Sequence, residues 1–160
     1  MILTGSATNV TSATTLNRAT RVRVGATNAG TVTIAAATGT FNAQSAVAGA
    51  AITISSHGFV TGDEVTYSDG GGTAIAELTD GGQFFVTKVD ANTINLSTTL
   101  NGTALTLTDG SSENHSITAT RSYAGSVVLV ANQVVIIDKK PGDTIACSAA
   151  MSCTAIGNQP

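Results

Sequence analysis

The sequence predicts an all-β protein: an antiparallel β-sandwich or barrel frame made from both ends of the chain, with a small β-barrel module inserted into it. Three observations carry this. Thr, Val, Ala, Ser and Gly dominate the 160 residues, and Thr and Val are β-branched types that suit a pleated, half-buried surface. Apolar residues alternate with polar ones over short runs set between Gly-, Asn- and Asp-containing turns, and no long 3.6-residue period occurs. The texture changes near Val47 and back near Arg121, which divides the chain into a frame of residues 1–46 plus 121–160 and an inserted module of residues 47–120.

Residues 4–17 lack an apolar period and read as an extended polar arm, unable to bury itself and expected to order against a neighbouring subunit. In residues 21–24, Val22 and Val24 share one face and Arg21 and Arg23 the other; a turn and the alternating residues 31–34 follow, which reads as a hairpin. Residues 35–50 are Ala-rich and fit a loop, a weak strand or a short helical turn equally. A strand at residues 52–54, a tight turn at Gly58, a strand ending at Tyr67 and a flexible loop at residues 68–73 come next. Residues 84–89 and 93–97 read as a hairpin whose loop includes Asn92, a residue able to take positive φ, and residues 105–107 and 117–119 as two further short strands. The strongest apolar runs, residues 127–130 and 134–137, read as a hairpin covered on both faces. Pro141 and Gly142 end it, and residues 144–147 and 153–156 read as a last hairpin.

Composition excludes several functions. Charged residues make up 11%, the formal net charge is -3, and 7 Lys plus Arg spread over the chain leave no footprint for nucleic acid or an anionic membrane. The opening residues have neither a basic nor an apolar signal region, and no stretch reaches the roughly 18 apolar residues of a membrane span. Synthesis in a cytoplasm without export is the expectation, so the sequons at Asn9, Asn101 and Asn114 read as accidents of an Asn- and Thr-rich chain.

Candidate chemistry is sparse. His57 and His115 are the two histidines, without HxH or HxxxH spacing, and Cys147 and Cys153 match no zinc pattern. Asp69, Asp80 and Asp109 each precede Gly, as β-turns require, but no calcium-loop pattern accompanies them. Asp63 and Glu64 are adjacent, so in a strand they point to opposite faces and cannot share a substrate. No Gly-x-Ser-x-Gly and no P-loop occurs. The reading therefore assigns no catalytic residue, metal ligand or cofactor site. Cys147 and Cys153 are weighed as a cross-strand disulfide against free thiols. Leu3, Val10 and Leu16 of the arm, with the basic stripe Arg18, Arg21 and Arg23, are the candidates for assembly contacts.

One stretch carries a resemblance. His57-Gly58-Phe59-Val60-Thr61-Gly62-Asp63-Glu64-Val65-Thr66-Tyr67, then Phe84-Phe85-Val86-Thr87-Lys88-Val89-Asp90-Ala91-Asn92-Thr93-Ile94-Asn95-Leu96-Ser97, resembles a small β module of tailed-phage virion proteins. That module is similar to the small barrel named after the first catalytic cysteine half-domain of ubiquitin-activating enzymes. Residues 21–25 and 134–145 look like short structural proteins of marine tailed phages. The resemblance implies no ubiquitin chemistry, since both cysteines lie outside the module. It implies a virion component, made in the host cytoplasm and partnered by itself and by other virion proteins such as the major capsid protein. A non-enzymatic capsid decoration or cement protein is the leading expectation. A neck, tail or fibre subunit is the alternative, and a glycan-binding adhesin with loops at residues 69–73 and 109–114 is another.

Overall fold

The computed structural model describes residues 2–3, 7–16, 18–149 and 151–157. These are strands, turns and loops in antiparallel sheets, with no helix among them. The chain forms two compact units, Met1–Ala36 with Arg121–Pro160, and Ala37–Thr120.

The first unit begins with β1 (Ile2–Leu3), β2 (Thr8–Asn9), β3 (Arg21–Ala26) and β4 (Gly30–Ala35). The second holds β5 (Thr38–Asn42), β6 (Val47–Ala48), β7 (Ala51–Thr53), β8 (Glu64–Ser68), β9 (Gln83–Lys88), β10 (Thr93–Ser97) and β11 (Asn114–Ala119). The chain then completes the first unit with β12 (Gly125–Leu129), β13 (Val134–Asp138), β14 (Thr144–Cys147) and β15 (Met151–Gly157).

In the first unit, one sheet runs β1-β15-β3-β13 with β2 also on β15, and the other runs β12-β4-β14. Val22, Val24, Met151 and Cys153 from the first sheet and Val32, Leu129, Ile145 and Cys147 from the second belong to one buried cluster, which makes the unit a β-sandwich. The three strand pairs that read as hairpins are not hairpins. β3 pairs with β13 and β15, β4 with β12 and β14, so the turns after β3, β12 and β14 each carry the chain from one sheet to the other. The reason is that an arch and a hairpin share one local signal: two alternating strands around a short Gly- or Asn-containing turn, with apolar faces toward a common core. What separates them is whether the strands meet through backbone or through side chains.

The expected polar arm is also corrected. Val10 N–H donates to Met151 O at 3.2 Å, Thr14 exchanges two backbone hydrogen bonds with Ile145, and the Val10 side chain is buried in the sandwich core. Residues 8–14 therefore dock on their own chain; residues 4–6 and 17 of the predicted arm lie outside the described residues.

The second unit is one sheet in the order β5-β11-β8-β9-β10-β7-β6. Its two end strands are consecutive in sequence and joined by a turn in which Ala46 N–H donates to Asn42 O, so the sheet curls back on itself. Gly39 is required at the closure, because a Cβ there would lie 2.7 Å from Ile54 Cγ2. The insertion starts at Ala37 rather than Val47, because β5 pairs along β11; the stretch left open as loop, strand or helical turn forms β5 and β6 with turns at residues 43–46 and 49–50. The 84–89/93–97 hairpin forms as expected, but Asn92 does not adopt a left-handed conformation; its side chain accepts Ser56 N–H at 2.8 Å instead. Residues 105–107 are not a strand: Leu105 and Leu107 N–H bond Leu96 O and Gly49 O singly.

β12 pairs antiparallel with β4, Gly125 opposite Ile34. Residues 37–120 therefore occupy the loop of a β4/β12 hairpin, and Ala119 N–H to Ala37 O at 2.8 Å brings the ends of the insert together.

Candidate assembly surface

β12 and β13 are each the last strand of their sheet, so among the described residues each has a strand partner on one side only. They are consecutive, joined by a turn at residues 130–133 in which Asn132 takes a left-handed φ of 65° and Gln133 N–H donates to Val130 O. One side of the sandwich is thus a pair of open edges. Their side chains are exposed rather than covered on both faces: Val128 is 72% exposed, Val130 64%, Ile136 54%, Val134 49% and Val127 40%. Register explains where each points. Val128 lies opposite Thr31 on the outer face of one sheet, Val134 and Ile136 lie opposite Gly25 and Arg23 on the outer face of the other, and Val127 lies opposite buried Val32 on the inner side. The sequence reading missed this edge because charge-free apolar runs signal burial equally well in a sheet centre and in an interface.

The predicted assembly residues are scattered by comparison. Val10 is buried in its own core and Leu16 packs on it; Leu3 is in β1, with its side chain outside the described residues. Arg18 is exposed, with a left-handed φ of 59°. Arg21 Nε donates to Asp138 Oδ1 at 2.6 Å across β3 and β13, and this hydrogen bond and charge hold the Asp138 carboxyl below its ordinary range. Both side chains are exposed, so the pair contributes little to stability. Arg23 lies on the same face, its guanidinium beside Gly25.

A polar network built around the buried Asp143, also unforeseen, follows the insert. Arg121 Nε donates to both carboxylate oxygens of Asp143 at 3.2 Å, Tyr123 OH donates to Asp143 Oδ2, and Lys140 N–H reaches the same oxygen at 3.0 Å. Lys139 Nζ donates to the carbonyls of Asp143 and Lys140. Burial pushes the Lys139 ammonium down, and burial with the Asp143 bond pushes Tyr123 up to about 12. The residues 139–143 turn, recognised only as a strand terminator, is thus a joint that grips the returning chain.

The other candidate residues serve the interior. Tyr67 OH meets His115 Nδ1 at 2.7 Å and accepts Ile75 N–H at 3.1 Å, with Phe41 edge-on to the imidazole. His57 stacks on Phe59. Asp63, fully buried, accepts Val60 N–H at 3.0 Å, and Thr61 Oγ1 accepts Lys88 N–H. Cys147 and Cys153 are not bridged: they are free buried thiols on opposite sheets, facing across the core rather than along a hairpin. Burial raises both thiols, Cys153 to about 12 with Cys147 beside it. The loops at residues 69–73 and 109–114 are brought together, Glu113 accepting Thr73 N–H. No cluster of three or more His, Cys, Asp or Glu able to hold a metal occurs among the described residues, and no helix is long and apolar enough to cross a membrane.

Comparison with protein-family models, with curated protein sequences and with solved structures finds no match to this chain.

Proposed function

We propose that this chain is a non-enzymatic virion structural protein of the capsid-decoration kind, which associates with copies of itself and with the major capsid protein. One observation supports this most: the polar residues of the stretch that resembles a phage module are used to hold loops. Asp63 fixes the turn at residues 60–63, Thr61 ties it to β9, and Asp90 and Asn92 cap the β9–β10 turn and fasten it to Ser56. Side chains committed to their own backbone are those of a scaffold that presents a surface, and the exposed chemistry is apolar edge rather than reactive group. The adhesin reading is weaker, since its two loops hydrogen-bond each other and carry no aromatic platform.

Incubating the purified chain with particles lacking it, followed by sedimentation and electron microscopy, tests the proposal. Regular density on the head supports decoration; density confined to the neck or tail would move the protein to the alternative, and no binding would reject the virion role. Hydrolysis of peptidoglycan, polysaccharide or nucleic acid that is lost in His57→Ala, His115→Ala or Asp63→Asn would overturn the non-enzymatic reading.

A further inference from the structure

We propose that the open β12/β13 edge is the docking site for the same edge of a second copy of this chain, strands antiparallel. The inference deepens the self-association in the proposed function and does not depend on the particle. Its first support is the contrast between the two sides of the sandwich. On one side the chain covers its own edges: Thr14 bridges to Ile145 of β14, and β1 and β2 lie along β15. On the other side, among the described residues, no further strand or bridge lies along β12 or β13.

The second support is composition. Residues 122–137 hold no charged residue. Edge strands that must stay alone are guarded by Lys, Pro or a bulge, and neither edge carries Lys or Pro in its strand. The one charge of the two strands, Asp138, is already paired with Arg21 across β3 and β13, so the uncharged run of the edge offers a charged partner little, whereas it meets no like-charge repulsion from an identical run despite a net charge of -3.

The third support is the distribution of the exposed side chains. Val128 lies on one outer face and Val134 and Ile136 on the opposite one, with Val127 between the sheets. A partner laid flat on either face would leave the other apolar group in water. A second sandwich laid edge to edge sets an apolar neighbour beside each of these groups across the seam, on both faces at once. A two-fold axis normal to the sheets sets β12 beside the partner's β12 and β13 beside its β13, and two-fold pairing of a strand with itself is antiparallel by symmetry. Roughly 400 Å² of apolar side chain is on offer, the size of a whole monomer's largest patch.

Sedimentation velocity and light scattering on the full chain, with Val128→Lys and Ile136→Lys made separately, test this. Both positions are exposed, so the variants keep the thermal unfolding of the parent. The expected result is a dimer whose dissociation constant rises at least about tenfold in each variant, while Val89→Lys and Leu100→Lys, exposed apolar positions in the inserted unit, change nothing. A chain monomeric at every concentration would overturn the proposal, as would dimers untouched by either lysine. Sensitivity at only one of the two positions would show a flat interface on one face and would equally overturn it. Loss of particle binding with the dimer intact would count against the virion role and leave this inference standing.

Discussion

Arg121, the first residue after the inserted unit, is held by both carboxylate oxygens of Asp143, and neither side chain is more than 3% exposed. A buried ion pair is costly to break because the surviving charge loses its partner without regaining water. Asp143→Ala should destabilise the sandwich by about 3–5 kcal/mol in urea unfolding, and Asp143→Asn, which keeps an acceptor, by less. Equal stability of Asp143→Ala and the parent would show that the pair contributes nothing.

The thiols should be inert and should set an alkaline limit. Cys153 ionises at about 12 in the fold, while a solvated thiol ionises near 9, so the folded state holds its proton longer. Stability is therefore complete below pH 9 and falls as pH rises toward 12, by at most about 1.4 kcal/mol per pH unit for each such group. Tyr123 acts in the same sense between 10 and 12, whereas Lys139, lowered by burial, acts in the opposite one. Melting temperature against pH should fall from pH 9 upward and fall less in Cys153→Ala. Rapid labelling of Cys153 by iodoacetamide at pH 8 in the folded protein would contradict this placement.

Removing residues 2–16 should weaken the fold rather than only an assembly contact. Val10 is buried among Val24, Met151 and their neighbours, so Val10→Ala alone should cost about 2 kcal/mol, and the deletion more, measured in urea. A deleted chain as stable as the parent would return the segment to the role of a free arm.

Tyr67→Phe removes one hydroxyl and leaves both His115 Nδ1 and Ile75 N–H without this partner inside the barrel. The expected cost is about 1–3 kcal/mol, read from the unfolding of residues 37–120 expressed alone. That fragment should fold, because its ends already meet at Ala37 and Ala119.

Period and turn chemistry made the strands legible: Val22, Val24, Phe84, Val86, Ile94 and Leu96 all face inward as alternation demands. Pairing was not legible. Whether β3 bonds to β4 or only packs against it depends on contacts far along the chain, and the two outcomes place the same valines in the same core. The open edge was misread for a related reason, since burial by a fold and burial by a partner select the same residues at Val128 and Ile136. Arg121 and Asp143 lie 22 residues apart, with no periodic signal to link them.

The hairpin that carries the insert has a consequence for how the protein acquires its structure. Joining β4 to β12 across a disordered loop of about 80 residues costs roughly 2–3 kcal/mol more in closure entropy than across a short turn. Once residues 37–120 have folded, the ends of that loop are already side by side, and the penalty is gone before the sandwich forms. The inserted unit thereby acts as an internal nucleation device for the sandwich. Refolding of the sandwich should accordingly lag behind that of the barrel and should slow markedly when the barrel is destabilised by Tyr67→Phe; a sandwich that refolds first would show that closure is achieved without it.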